Sequence, residues 1–165
     1  MAAIPANGTW SDGEVAPGSS VVFDLDGVLA DGWHRQHHLD GLRRDWTSFF
    51  RAAGQDGPIH STIGLGRLID RETAIVILTA RPAWIHEDTT RWLAQYDVRW
   101  DLLVMRGRGD GGLSSREFKR RSVAELRAYG FDIEVALDDD LRIIEMFGEE
   151  DVPAVYIHSG YYDRS

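Results

Sequence analysis

Asp24 and Asp26 close a short apolar run, Val21-Val22-Phe23-Asp24-Leu25-Asp26-Gly27. Charge this close to β-branched and aromatic residues belongs where a buried parallel strand runs out, which is also where open α/β sheets bind their ligands. Alternate residues of a strand share a face, so the two carboxylates can point into one crevice. Paired acids in such a place can act as nucleophile, as acid and base, or as ligands of a hard cation. Taken alone, the run reads equally well as a strand entering an Asp-Gly turn.

Two later stretches repeat the arrangement of an apolar run followed by polar residues. Thr73 to Arg81 (Thr-Ala-Ile-Val-Ile-Leu-Thr-Ala-Arg) places Thr79 and Arg81 just past a strand, and Glu134 to Asp140 (Glu-Val-Ala-Leu-Asp-Asp-Asp) places Asp138 and Asp139 past another. Between them Ser114 to Tyr129 reads as a helix carrying Lys119; Ser114 is a good amino-terminal cap and Glu117 stands three positions on, as a capping box requires. Lys119 is the sole lysine among 18 basic residues. In a chain that otherwise uses arginine, a surviving lysine points to a site that needs a compact ammonium.

This ordered set (Asp-x-Asp, a Thr, a Lys, an acid pair) resembles the haloacid dehalogenase superfamily of phosphohydrolases, over residues 21–147. A narrower resemblance is to the phosphatase domain of phage-type polynucleotide kinase/3′-phosphatases, carried by Thr89 to Leu93, Leu102 to Arg106, Asp138-Asp139-Asp140-Leu141-Arg142-Ile143-Ile144-Glu145-Met146-Phe147 and Ser159-Gly160. Two positions depart from that family: Asp140 stands where it usually has Arg, and Ser115 stands four residues before the lysine where it often has Asp. The kinase half is missing, since no Gly-x-x-x-x-Gly-Lys-Ser/Thr loop occurs and Gly64-Leu65-Gly66-Arg67 lacks both lysine and spacing.

The resemblance implies a Mg²⁺-dependent phosphomonoesterase. Asp24 is then nucleophile and metal ligand, forming an aspartyl-phosphate. Asp26 protonates the leaving oxygen, later activates water and binds the metal through its carbonyl; for this its pKa must rise, and burial beside another carboxylate pushes that way. Asp138 and Asp139 complete the metal site, Thr79 hydrogen-bonds the phosphoryl group and Lys119 neutralises it. Arg35, eleven residues after Asp24, and Arg81, at the mouth, match family positions with functional arginines and are expected to face the substrate. The implied partner is a phosphorylated nucleic acid end or nucleotide, with any kinase or ligase activity on a separate partner. Two other readings stand beside it: a phosphatase of mononucleotides or small metabolites, and a catalytically inactive binding module on the same fold, against which the intact set of acids argues.

The elements that must position these residues follow from the pattern. Alternating strands and helices imply an α/β fold, a Rossmann-like parallel sheet flanked by helices. Ile59 to Asp70 and Ala83 to Tyr96 read as crossover helices, and Ala154 to Ile157 as a last short strand. Residues 31–58 are too polar for core. Asp45 to Phe50 reads as a short amphipathic helix within them, and the resemblance implies that this insertion is a cap over the active site, here a small one. Residues 1–20, rich in Ala, Gly, Pro and Ser, read as a flexible lead-in to a phosphatase domain over 21–165. His34, His37 and His38 invite a zinc site, but no fourth ligand accompanies them at a recognisable spacing.

The chain has 165 residues, enough for one domain with a sizeable core, and no cysteine, which excludes disulfides and thiolate metal sites. No apolar run approaches membrane-spanning length and no secretory signal opens the chain, so a cytoplasmic protein with no membrane partner is expected. With 27 acidic against 18 basic residues the net charge is −9. Such a body repels long polyanions unless arginines act locally at an end.

Overall fold

Val21, Val22 and Phe23 lie in the middle of a sheet with a strand on either side, which is why their run carries no polar side chain until it ends. The computed structural model of the chain describes residues 3–163. Its strands are β1 (Gly8–Trp10), β2 (Ser19–Phe23), β3 (Ala30–Asp31), β4 (Gly57–Pro58), β5 (Ala74–Pro82), β6 (Leu102–Arg106), β7 (Asp132–Asp138) and β8 (Ala154–Tyr156). Its α-helices are α1 (Trp46–Arg51), α2 (His60–Leu68), α3 (His86–Gln95), α4 (Ser115–Tyr129) and α5 (Leu141–Glu149). Among the described residues a six-stranded sheet runs in the order β1-β6-β5-β2-β7-β8, parallel throughout except for β1.

The period of two along β5 divides the core. Val76 and Leu78 point into a cluster with Phe118 and Leu126 of α4 and Ile143 and Phe147 of α5. Ile75 and Ile77 point the other way, into a cluster with Ile63 of α2 and Trp92 and Leu93 of α3. The sheet is therefore covered on both faces, as a parallel sheet must be. The chain builds β2, β5 and β6 outward on one side, then crosses back to lay β7 and β8 on the other. The gap between β2 and β7 is thus a topological switch point, where crossover connections diverge and leave a crevice.

Helix ends match their local chemistry. α4 begins on the Ser114–Glu117 capping box and stops at Gly130, whose φ of +116° suits glycine and whose added Cβ would meet Pro17 at 2.8 Å. α1 is capped by Asp45, which accepts from the Ser48 N–H at 3.0 Å. The polar stretch 31–58 is bracketed by the small antiparallel pair β3–β4 and holds α1 and two 3₁₀ turns, Trp33–Leu39 and Ala53–Gln55. The expected strand before Thr79 runs further than its apolar residues do. β5 continues to Pro82 through a register shift after Leu78, so Thr79 and Arg81 sit in its irregular end rather than in a loop. Such irregularities re-aim side chains at strand ends.

Residues 1–20 correct the reading of a flexible lead-in (Met1 and Ala2 lie outside the described residues). β1 pairs antiparallel with β6 in register Thr9–Leu103, and Ile4, Trp10 and Val15 pack against the core. Low apolar content hid this because few side chains do the covering, Trp10 foremost: its ring lies 5.8 Å from the Tyr129 ring and 6.4 Å from Phe131. The Tyr129 hydroxyl in turn donates to the Val15 carbonyl and bonds Glu14, each at 2.8 Å. Among the described residues no helix is long and apolar enough to cross a membrane.

Trp10→Ala is therefore expected to destabilise the whole domain by about 2 kcal/mol, less than a fully buried tryptophan because the ring is partly exposed. Urea unfolding followed by far-ultraviolet circular dichroism measures it. An unchanged midpoint would mean that β1 does not fold cooperatively with the sheet.

Candidate active site

The carboxyl ends of β2, β5 and β7 and the start of α4 converge on a pocket of about 600 Å³. Asp24, one residue beyond β2, is 8% exposed, and its own N–H donates to the Leu137 carbonyl of β7 at 2.9 Å. Asp138 is the last residue of β7. Lys119, in the second turn of α4, reaches between them: its Nζ lies 3.0 Å from Asp24 Oδ1 and donates to Asp138 Oδ2 at 2.6 Å. All three side chains are buried. Burial and the neighbouring Asp138 push the Asp24 carboxyl well above the usual carboxylate range, with Lys119 opposing. Burial works against the Lys119 ammonium, but Asp138 and Asp24 outweigh it and raise its pKa.

Carboxylate oxygens of Asp24, Asp138 and Asp139 all lie within 4.8 Å of one another. Asp139 Oδ2 is buried without a hydrogen-bond partner, and burial lifts this carboxyl to about 7 against the hydrogen bond from Ser159. A buried acceptor left unmet calls for a ligand. Gly27, at φ +79°, leaves the approach open; a Cβ there would come within 2.1 Å of Asp139 Oδ2. Three crowded carboxylates with an orphaned oxygen suit a hard divalent cation, so the donor set fits the expected metal. The histidines go elsewhere: His34 Nε2 lies 2.9 Å from Asp56 Oδ1, and the rings of His37 and His38 lie 4.0 Å apart.

Asp26 sits in a different environment. Its carboxylate accepts from Arg35 Nη2 at 2.5 Å and from Arg81 Nη2 at 2.7 Å, with Arg81 Nε at 3.1 Å. Burial pushes its pKa up, but the Arg81 and Arg35 guanidiniums outweigh burial and hold the carboxyl well below the usual range. The raised pKa expected for an acid at this position is not what these neighbours produce. The expectation weighed the nearby carboxylate and missed two cations brought in from distant segments. With its carboxylate so occupied, Asp26 has little side-chain capacity left for a metal.

Arg35 and Arg81, expected to face the substrate, are buried to within 1%. Arg81 still lines the pocket, whereas Arg35 lies behind it, with its guanidinium 4.1 Å from the Phe49 ring. Both are held by Asp56, an acid that the sequence reading did not single out. Arg35 donates to its two oxygens at 2.7 Å each, and Arg81 Nη2 to Oδ2 at 2.9 Å. Two fully buried guanidiniums between two carboxylates form a closed, neutral square. Nothing in the Asp56-Gly57-Pro58 stretch distinguishes it from an ordinary turn; an acid at the end of a polar insertion is the only signal available. Trp92 Nε1 donates to the Asp56 carbonyl at 2.8 Å, and Gly32 makes room for Arg35, since a Cβ there would meet the guanidinium at 2.9 Å.

Thr79 is 1% exposed and lines the pocket; its Oγ1 accepts from the Arg81 N–H at 3.2 Å. Ser115 also lines the pocket, 3.4 Å from Arg106 Nη2. The structure thus brings Asp24, Asp26, Thr79, Arg81, Lys119, Asp138 and Asp139 to one pocket and sets Arg35 in the layer beneath. The opposite wall is cap and tail: Trp46 and Phe50 of α1, and Tyr161 and Tyr162 from the segment after β8.

No family model matches the chain, and no curated protein matches it in sequence. Solved structures do. A chain of the Pnkp1/Rnl/Hen1 RNA repair complex superposes with a TM-score of 0.67 at 23% identity over 91% of this chain and 45% of that one. A second structure of the Pnkp1/Rnl/Hen1 complex gives 0.64 at 24% identity, over 91% and 48%. A haloacid dehalogenase-like hydrolase of Streptococcus pneumoniae gives 0.55 at 10% identity, over 84% and 83%. The chain spans about half the length of the first two. At these identities the likeness is one of fold, and that fold is haloacid dehalogenase-like, as the motif resemblance implies.

Asp56→Asn is expected to destabilise the protein by about 3–5 kcal/mol, because it leaves two buried guanidiniums with one carboxylate. Equilibrium urea unfolding checks this. A loss under about 1 kcal/mol would mean that the guanidiniums regain water when Asp56 is neutralised.

Proposed function

We propose that this chain is a Mg²⁺-dependent phosphomonoesterase that removes 3′-phosphates from nucleic acid ends through an aspartyl-phosphate on Asp24. The observation that carries the reading is Lys119: one ammonium between Asp24 and Asp138, at the switch point, beside Thr79 and an orphaned Asp139 oxygen. Phosphoryl transfer runs largely on positioning and on charge placed where charge gathers. Asp24 Oδ1 attacks phosphorus, and the bond from phosphorus to the leaving 3′ oxygen breaks. Lys119 and the Thr79 hydroxyl face the phosphoryl oxygens. Asp24, Asp138 and Asp139, with the Asp26 carbonyl, would hold Mg²⁺, which when bound neutralises phosphoryl charge as a Lewis acid. Water then attacks phosphorus, and the bond to Asp24 breaks.

Asp26 is the proposed base of that second step, and the Arg35–Arg81 pair keeps it ionised and aimed. For the first step Asp26 must carry a proton. An incoming phosphate, itself drawn to the Arg81 guanidinium, competes with Asp26 for that cation and lets the carboxyl protonate. Asp26 gives this proton to the leaving oxygen and regains one from the attacking water in the second step. The pocket volume, several times that of a phosphate group, supports a substrate larger than a simple phosphorylated metabolite. The RNA repair complex among the structural neighbours supports a nucleic acid end. One observation favours a second reading. The net charge of −9 suits mononucleotides better than long polyanions.

Phosphate release from 3′-phosphorylated oligonucleotides, 5′-phosphorylated oligonucleotides, mononucleotides and sugar phosphates separates the two readings. The expected order puts the 3′-phosphorylated oligonucleotide first, with all release abolished by a chelator and by Asp24→Asn. Equal rates on 3′ and 5′ nucleotides would transfer the assignment to small substrates, and full activity of Asp24→Asn would remove the mechanism altogether.

Lys119→Arg should lower turnover on the order of 10²-fold, the scale of losing one transition-state donor. The guanidinium is longer, planar and bulkier than the ammonium that stands between the two buried carboxylates, so it does not match that slot. Binding should suffer less than turnover, since the charge that Lys119 answers grows during reaction. Steady-state kinetics beside the surface change Arg127→Lys checks this, and normal turnover would mean that the site needs only a positive charge.

A further inference from the structure

The proposed chemistry uses the floor of the pocket and leaves its rim unexplained. Two cations on the floor, Arg81 and Lys119, are each saturated by carboxylates and buried. Arg142 differs. It lines the same pocket, four residues beyond Asp138 in the first turn of α5, and its side chain is 71% exposed. An arginine so exposed is ordinarily mobile, yet this one is fixed. Asp140, with a side chain only 9% exposed, accepts from Arg142 Nε at 3.0 Å and Nη2 at 2.7 Å, and from its backbone N–H at 2.9 Å. Its guanidinium carbon stands 5.7 Å from the centroid of the Tyr162 ring, and that ring also lines the pocket and is 56% exposed.

The fork spends one edge of the guanidinium on Asp140. The Nη1 donors and the second Nη2 proton are not engaged by Asp140, and a further side-chain hydrogen bond ties the guanidinium to Tyr162, the other residue of this rim. A rim cation held in one orientation binds an anion with little further loss of side-chain freedom. Beside it, the Tyr162 ring over which Arg142 stands is itself 56% exposed, and a cation next to an exposed aromatic ring is the pairing that single-stranded nucleic acid sites use for backbone and base.

We infer that Arg142 and Tyr162 form a leaving-group subsite: Arg142 holds the internucleotide phosphate next to the terminal 3′-phosphate, and Tyr162 carries the terminal base. This rests on the reading of the chain as a 3′-end phosphatase. It makes Arg142 and Tyr162 specificity residues for polynucleotide over mononucleotide, and it lets an acidic protein grip an end through a single local charge. Asp140 is a positioning residue that acts through Arg142.

The test changes one charge on each side. Wild type, Arg142→Ala and Arg142→Lys are compared on three substrates: a 3′-phosphorylated dinucleotide, the same dinucleotide with a neutral methylphosphonate linkage, and a 3′-mononucleotide. Wild type should show a KM about tenfold higher for the methylphosphonate than for the phosphodiester, the scale of one charge-assisted hydrogen bond at an exposed rim. Arg142→Ala should raise KM about tenfold on the phosphodiester only, with kcat within twofold and the mononucleotide unaffected, and should no longer distinguish the two dinucleotides. Arg142→Lys, which keeps the charge but loses the fork, should fall between. If Arg142→Ala still distinguishes the dinucleotides as wild type does, or weakens all three substrates alike, the subsite is overturned.

Binding of the same dinucleotides to Asp24→Asn, read by tyrosine and tryptophan fluorescence, does not depend on turnover. Discrimination by charge and by Arg142 in that measurement, without phosphate release by wild type, would overturn the 3′-phosphatase reading while upholding the subsite. No discrimination in binding would overturn the subsite whatever the turnover.

Discussion

Three carboxylates with oxygens inside 4.8 Å of each other, at the end of a sheet covered on both faces, form a charge density that burial makes steadily worse. Water would screen them, and the fold removes most of it. Lys119 is the answer inside the protein. Its ammonium lies against Asp24 and Asp138 at once, and those two acids more than offset its own loss of hydration. Much of the surrounding structure exists to deliver that one atom. The Ser114–Glu117 capping box sets where α4 starts, and so which residue of the helix faces the crevice. Gly130 ends the helix against Pro17, where no side chain would fit. The charge left over falls on Asp139, whose second oxygen is unmet and whose carboxyl is pushed up to about 7.

Asp24 and Asp26 stand two residues apart in sequence and end in opposite electrostatic states. Asp24 is raised by burial and by Asp138, whereas Asp26 is held down by Arg81 and Arg35 despite burial. Pairs of acids driven apart in this way are how one site divides roles between like groups. The arginines can stay buried because Asp56 completes their neutralisation. Since Arg35 and Asp56 belong to the insertion and Arg81 to β5, the same square of charges fastens the cap to the sheet. Trp92 strengthens this by bonding the Asp56 carbonyl from α3. The pocket mouth lies between α1 and the tyrosines of the last segment.

That mouth also bears on how an acidic protein would meet the phosphorylated ligand proposed for it. The long-range field of a −9 chain opposes a polyanion. The basic groups that matter are instead short-range, each tied to an acid that sets its position: Lys119 to Asp24 and Asp138, Arg81 to Asp26 and Asp56, Arg142 to Asp140. Such pairs contribute orientation rather than net charge.

Much of this was legible in the chain. Apolar runs that stop at carboxylates marked the strand ends, because a strand buried on both faces cannot carry charge before it ends; hence Asp24, Thr79 and Asp138 could be assigned to one edge of a parallel sheet. Ser114 and Glu117 gave away the start of α4, and a lone lysine at its second turn pointed to a site needing an ammonium. These are local signals, set by period, capping and residue chemistry. Which charges meet is not local. Arg35, Asp56 and Arg81 come from three separate segments, so their closure around Asp26, and with it the direction of the Asp26 shift, had no trace in any one of them. The same holds for β1, which pairs with β6 and packs Trp10 against rings more than a hundred residues away. Sequence by itself determined the kinds of residue present and the strand ends that hold them. Only the tertiary structure decided their protonation and their partners, because desolvation and Coulomb energy depend on distances that the packing of distant segments creates.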